Sequence, residues 1–77
     1  MKDLLEFLAR ELVDNPDAVQ VTEVTDDRGL LLQLHVDPDD MGKVIGRGGR
    51  TARALRALVR AAGTRQDVHA SVEIVED

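Results

Sequence analysis

Residues 42–50 read Gly42-Lys43-Val44-Ile45-Gly46-Arg47-Gly48-Gly49-Arg50 and lie between two segments with helical periodicity. Three glycines within the four positions 46–49 allow positive φ angles and a close approach of the backbone to a ligand, because no Cβ atom intervenes. A helix that begins here directs its free N–H groups and the positive end of its dipole at the loop. We therefore predict that residues 46–49, the glycine loop, hold phosphate.

A tight corner between two helices is the simpler explanation of the glycines, but one glycine would be enough for such a corner. Arg50 and Arg53 provide a second reason to expect binding. A cation in the first turns of a helix is repelled by the positive end of the dipole, which costs about 0.3–1 kcal/mol of stability. Arg56 and Arg60 lie opposite the predicted core face, and a solvated helix surface explains them. A P-loop is excluded because Val44 stands where that motif requires Ser or Thr.

The N-terminal part of the chain predicts one helix and a hairpin. Asp3 and Glu6 have capping-box spacing and open an amphipathic helix, which Asn15-Pro16 ends. Residues 19–25 and 30–36 read as strands joined by turn residues, so that residues 17–36 form an N-terminal hairpin.

The C-terminal part predicts two helices and a strand. Asp37 caps a short helix that Gly46 ends, and the second core helix covers residues 49–62, with Gly63 in the C′ position. Residues 68–75 alternate as a last strand. The inward face of the second core helix is predicted to consist of Ala52, Leu55, Leu58, Val59 and Ala62.

The element order α-β-β-α-α-β predicts an α+β fold with a three-stranded mixed sheet. A hairpin pairs antiparallel, whereas strands joined by a helical crossover can pair in parallel. Alternating strands indicate a sheet covered on one face only, so all three helices are expected to pack on that face. At 77 residues the chain is expected to form a single domain, 1–77.

Charge is divided unevenly along a chain whose net charge is −5. Residues 41–65 contain seven basic residues and no acid, while the rest contains three bases and fifteen acids, a balance of −12. Such a field attracts a phosphate backbone to one face and repels it from the others. The absence of cysteine excludes disulfides and thiolate metal sites. With no signal peptide and no membrane-spanning segment, a soluble cytoplasmic protein is expected.

The segment Val44-Ile45-Gly46-Arg47-Gly48-Gly49 resembles the (V/I)-I-G-x-x-G signature of KH domains, with the GxxG loop at residues 46–49. The helix and strand ahead of the core resemble the type II arrangement, and residues 42–56 are similar to the bacterial KhpA family of single-KH proteins. This resemblance implies single-stranded RNA as partner, with about four nucleotides clamped by the loop. It also implies an RNA chaperone or a post-transcriptional regulator.

The resemblance also implies a groove for the bases between the first core helix and the adjoining strand, with Ile45 and Val44 as candidates for its apolar wall. Having one Phe and no Trp or Tyr, the chain lacks a stacking platform, and weak, loosely specific binding is expected. The predicted RNA-binding residues are Lys43, Ile45, Gly46, Arg47, Gly48, Gly49, Arg50 and Arg53.

The alternative is a KH-fold module for protein interaction or dimerisation, with weak or no RNA binding. Phe7, Leu31 and Val75 are apolar residues predicted off the core, and they could mark an interface. By family resemblance the partner would be a second copy or a larger Jag-type KH protein. We expect no enzyme activity, small-molecule substrate or cofactor, because His35 and His69 lie on predicted strands without a nearby nucleophile. No metal site is expected either, since a capped helix start explains the acidic cluster at Asp37, Asp39 and Asp40.

Overall fold

The computed structural model describes residues 1–76. The helices and strands within this range are α1 (Lys2–Leu12), β1 (Gln20–Asp26), β2 (Gly29–His35), α2 (Met41–Ile45), α3 (Arg50–Arg65) and β3 (Ala70–Ile74). Short 3-10 turns lie at Pro16–Ala18, Pro38–Asp40 and Arg47–Gly49. The predicted order of elements is confirmed.

The sheet has the strand order β1-β2-β3. β1 pairs with β2 antiparallel across the Asp26–Gly29 turn, and β2 pairs with β3 in parallel. The turn is closed by the Asp26 carboxylate, which accepts a hydrogen bond of 2.8 Å from the Arg28 N–H. The predicted mixed sheet is therefore confirmed, and β3 forms one of its two edges.

The hydrophobic core lies between one face of the sheet and the helices. Leu32 and Leu34 of β2 are fully buried there, as are Leu5 of α1, Val44 of α2 and Val59 of α3. The opposite face of the sheet is mostly polar, and Gln33 Nε2 donates a hydrogen bond of 2.9 Å to Glu73 across it. The sheet is covered on one face, as its alternating strands predicted.

The prediction that the second core helix ends at Gly63 is wrong. α3 continues to Arg65, and Gly63 lies buried within its last turns. A Cβ atom at Gly63 would come within 2.5 Å of the Val68 carbonyl oxygen and 3.0 Å of Ala70 Cβ. Glycine is therefore needed here for the close approach of β3. The chain reverses at Asp67, which has a φ of 57°.

Several other expectations need correction at the ends and faces of helices. Met1, without a side-chain hydrogen bond, occupies the N-cap position of α1 that Asp3 was expected to take. α1 already ends at Leu12, because Val13 is extended and Pro16 begins a 3-10 turn. Leu58, expected in the core, has 51% of its surface exposed, since the buried stripe of α3 follows Ala52, Leu55, Val59 and Gly63. The last strand begins at Ala70 rather than at residue 68.

Candidate nucleic-acid interface

The glycine loop connects α2 to α3 through three residues with positive φ. Gly46, Gly48 and Gly49 have φ angles of 75°, 63° and 77°, values that residues other than glycine rarely adopt. The Gly49 N–H donates to the Gly46 carbonyl at 3.1 Å, and the Arg50 N–H donates to Arg47. These two amides are used within the turn, so the expectation that the helix start offers free N–H groups does not extend to them.

Gly46 also lies against the first turn of α3. A Cβ atom on Gly46 would come 2.7 Å from Thr51 Cβ and 2.9 Å from the Thr51 nitrogen. Space around Gly48 is open, by contrast, with no neighbouring atom within 4 Å of a Cβ placed there. Thr51, the residue against which the loop is positioned, was not predicted, because its contact arises from the sharp return of the chain at Gly46.

Three predicted arginines surround the loop with their side chains in solvent. Arg47, Arg50 and Arg53 are exposed, and no acidic group within residues 1–76 forms an ion pair with them. Arg53 extends back toward the loop, since a Cβ atom placed on Gly49 would lie 3.6 Å from its Nη1. The cations predicted at the loop are therefore brought together there and are open to a ligand.

Lys43 has a different environment from the arginines. Its Nζ lies 2.9 Å from an oxygen of Asp14 and 3.5 Å from an oxygen of Asp40. The hydrogen bond and charge of Asp14, followed by those of Asp40, raise the pKa of Lys43 above its ordinary value. The structure thus ties Lys43, a predicted RNA-binding residue, to acidic groups at the corner between α1 and α2.

A hydrogen-bonded corner anchors the start of α2 to the chain that follows α1. Asp40 is 2% exposed and accepts a bond of 3.0 Å from the Asn15 N–H. Asp37 accepts from the Asp39 N–H at 2.9 Å and from the Asn15 side-chain amide at 3.1 Å. These bonds, that of Asp39 foremost, hold the pKa of Asp37 below its usual range. The predicted Asp37 cap is confirmed, while the role of Asn15 was not foreseen.

A shallow groove lies between the start of α2 and the end of β3, where the resemblance placed the bases. It is lined by Val36, Pro38, Met41, Val75 and Glu76. Ile45, at the end of α2 next to the glycine loop, is half-buried, whereas Val44 is completely buried in the core. Of the two candidates for the apolar wall, only Ile45 presents surface to a ligand.

A second groove, almost entirely apolar, separates α1 from α3. Its lining is formed by Leu8, Glu11, Leu12, Thr51, Ala54, Leu55 and Leu58. Beside the exposed Leu58, Leu4 and Leu12 are more than one-third exposed, and Phe7 on α1 is 59% exposed. Leu31 and Val75, which were expected to mark an interface, are only half-exposed. Within residues 1–76, four of the five large apolar side chains that are exposed therefore belong to α1 and α3, and the fifth is Val24 of β1.

A KH domain of the type II arrangement is defined by this order of elements, the mixed sheet and the glycine loop between α2 and α3. The chain belongs to the family described as KhpA/KhpB, KH domain, whose model matches residues 2–74. No helix within residues 1–76 combines the length and apolar character needed to cross a membrane.

Relatives match the chain over most of its length. The RNA-binding protein KhpA of Clostridium acetobutylicum is 51% identical over 75 residues, which are 97% of this chain and 100% of the relative. That of Halalkalibacterium halodurans is 51% identical over 76 residues, 99% of this chain and 100% of the relative. That of Mycobacterium tuberculosis is 59% identical over 63 residues, 82% and 79% of the two chains. No solved structure gives a significant match to the chain.

Proposed function

We propose that the protein binds single-stranded RNA by gripping its backbone with the glycine loop. One observation carries the proposal: three positive-φ glycines form the corner in front of a 16-residue helix, and Arg47, Arg50 and Arg53 surround it without ion-pair partners in the described part of the chain. The names of the relatives, which refer to RNA binding, support the same function.

The loop would hold RNA through backbone amides and guanidinium groups together. The N–H groups of Gly49 and Arg50 already have acceptors, so we assign the phosphate contacts to the amides of Arg47 and Gly48. The dipole of α3 favours an anion at this end. The guanidinium groups of Arg47, Arg50 and Arg53 add charge-assisted hydrogen bonds, which are shorter and stronger than neutral ones.

Lys43 would contribute less than the arginines to this grip. Its Nζ lies 2.9 Å from Asp14, so a phosphate must compete with a carboxylate that the lysine already contacts. The binding free energy that Lys43 adds is the difference between its contact with a phosphate and its existing contact with Asp14. We therefore expect Lys43 to have a small effect on RNA affinity.

The bases would lie beyond the loop, along Ile45 and the groove at Met41 and Val75. Aliphatic side chains and one acid, Glu76, line this path, and an aromatic ring on which a base could stack is missing from the groove lining. Weak and loosely specific binding follows, which suits an RNA chaperone or a post-transcriptional regulator acting on many cytoplasmic RNAs.

The double variant Arg47→Asp with Gly48→Asp tests the site. Asp tolerates the left-handed conformation of Gly48, and the space around that position is open, so the fold should persist. Two carboxylates would then face the phosphates, and fluorescence anisotropy with a labelled single-stranded RNA should show an affinity at least tenfold lower. For about three or four phosphate contacts, log K should fall with log[salt] at a slope of about −2 to −3.

A matched control makes the same change in net charge at the other end of the molecule. Arg28→Asp with Thr25→Asp alters the exposed hairpin, which lies beside His69 near the C-terminal end of α3. The glycine loop lies at the N-terminal end of this helix, which is about 24 Å long for its 16 residues. This variant should bind RNA nearly as the unaltered protein does. Equal affinity losses in both variants, or unchanged binding in the loop variant, would refute the proposed site.

A second function, as an interaction module, is favoured by the apolar groove between α1 and α3. Glu11 is the only charged residue of its lining, which suits a protein surface and not a polyanion. We propose a second KH domain as occupant, either another copy of this chain or a larger Jag-type KH protein. Light scattering of the purified protein should show a dimer that Leu58→Glu converts to a monomer while the RNA affinity persists. A monomer at all concentrations would exclude self-association.

A further inference from the structure

The arginines of α3 continue beyond the glycine loop along one flank of the helix. Arg53, Arg56 and Arg60, which we call the arginine ridge, are spaced three and four residues apart and so lie above one another on one side. The groove that faces α1 is lined by Thr51, Ala54 and Leu58, which lie on the other side of the buried stripe. The ridge therefore lies on the flank of α3 that points away from α1.

Two contacts fix the direction of the ridge. Arg53 Nη1 lies next to Gly49 of the loop, and Arg56 Nε lies 3.5 Å from the Val72 carbonyl oxygen on β3. β3 is an edge strand of the sheet, so the ridge begins at the glycine loop and runs above an open sheet edge toward the C-terminal end of α3. One continuous basic surface joins the loop to Arg60.

The ridge lacks the charge pairing that the same chain builds on another helix. On α1, Glu6 pairs with Lys2 at 4.0 Å and with Arg10 at 2.8 Å, in i,i+4 arrangements that stabilise a helix. Along α3 the sequence has five arginines and no acid, and none of the three ridge residues forms an ion pair within residues 1–76. Like charges at this spacing oppose helix formation, so an external anion explains them better than stability does.

The nearest acid of the adjoining strand is turned away from the ridge. Glu73 lies on the polar face of the sheet, where Gln33 donates to its carboxylate at 2.9 Å. All cations of the ridge are arginines, whose planar guanidinium groups bind phosphate through two parallel hydrogen bonds. A chain of phosphates is therefore the complementary occupant.

We propose that the arginine ridge carries the same RNA strand beyond the nucleotides held by the glycine loop, an inference that rests on the function proposed above. Arg53 to Arg60 spans about 10 Å along the helix. At roughly 3.4 Å per nucleotide, the rise along one strand of a duplex, this distance accommodates up to about three further nucleotides. The footprint is then about seven nucleotides, and the affinity rises with RNA length beyond the four that a KH loop clamps.

Binding measured against a series of unstructured RNAs from 4 to 12 nucleotides tests the ridge. The affinity should increase up to about seven or eight nucleotides and then level off. Arg56→Gln with Arg60→Gln should reduce the affinity for an 8-mer by about fivefold to tenfold and leave that for a 4-mer unchanged, because the two lost cations contact only the extended strand. The salt slope of the 8-mer should decrease by about 1.4.

The control removes two cations that lie off the ridge. Arg28→Gln with Arg65→Gln makes the same change in net charge and should leave the length dependence intact. The inference is overturned if the affinity already levels off at four nucleotides, or if the ridge variant loses the same affinity for the 4-mer as for the 8-mer. It is also overturned if the control variant loses as much affinity for the 8-mer as the ridge variant does. If Arg47→Asp with Gly48→Asp does not change RNA binding, the proposed function itself is wrong. If that variant loses binding but the affinity does not rise with RNA length, only the role of the ridge is wrong.

Discussion

Gly46 and Thr51 approach each other so closely that any side chain at position 46 would collide with the first turn of α3. A Cβ atom on Gly46 would lie 2.7 Å from Thr51 Cβ, and the φ of Gly46 is 75°. Gly46 is therefore required for two independent reasons, the backbone conformation and the lack of space. The contact sets the angle at which the glycine loop enters α3.

The variant Gly46→Ala should destabilise the protein by about 2–4 kcal/mol, since left-handed strain and overpacking add. Gly48→Ala shares the positive φ but meets open space, so its cost should be only about 1–2 kcal/mol. Urea unfolding followed by circular dichroism measures both. Equal losses would mean that the Thr51 contact relaxes without cost.

Gly63 is expected to be just as intolerant of a side chain, although its φ is helical. Gly63→Ala pushes a methyl group against the Val68 carbonyl oxygen and Ala70, and should cost about 1–3 kcal/mol. Gly42→Ala is the matched control in α2, where nothing lies within 4 Å, and should stabilise by about 0.4–1 kcal/mol. Thermal unfolding should separate the two in opposite directions; a stabilised Gly63→Ala would contradict the tight packing of α3 on β3.

Removal of the Asp14 carboxylate should strengthen RNA binding. Asp14→Asn removes the closer of the two carboxylates that contact Lys43, at 2.9 Å, and leaves only Asp40 at 3.5 Å, so the lysine becomes more available to a phosphate. We expect an affinity gain of about twofold to threefold and a salt slope that is steeper by about 0.7, the value for one added contact to a single strand. Asp17→Asn removes an exposed acid that contacts no cation in the described residues, and it should change affinity less.

The stability of the protein should fall in acid partly through Asp37. Its pKa is held below the ordinary value of 3.8, chiefly by the Asp39 N–H and next by Asn15, so ionised Asp37 favours the folded state. The contribution is complete above about pH 5 and is lost as the pH falls through the ordinary pKa and then the lower pKa of the folded state. Asp37→Asn keeps a capping side chain and removes the charge. The difference in unfolding free energy between the two proteins should shrink from pH 5 to pH 2; a constant difference would contradict this role.

The order of elements, the hairpin, the Asp37 cap and the glycine loop could all be predicted because each depends on neighbours in the chain. Alternation with period two marks a strand, and glycines and prolines mark turns within a few residues. The prediction was wrong at Gly63 because the neighbouring residues do not distinguish a glycine buried within a helix from a glycine that ends one. Only the position of Val68 and Ala70 against the helix distinguishes them.

Local sequence thus determined where the chain turns, which side chains repeat on each face, and that cations gather around residues 46–49. Tertiary structure decided the partners: Lys43 meets Asp14, 29 residues away, Asn15 bonds to Asp40, and Leu58 is left at the edge of a groove against α1. Such contacts join segments distant in sequence, and their geometry follows from how helices pack on the sheet. No periodicity or spacing along the chain encodes that geometry.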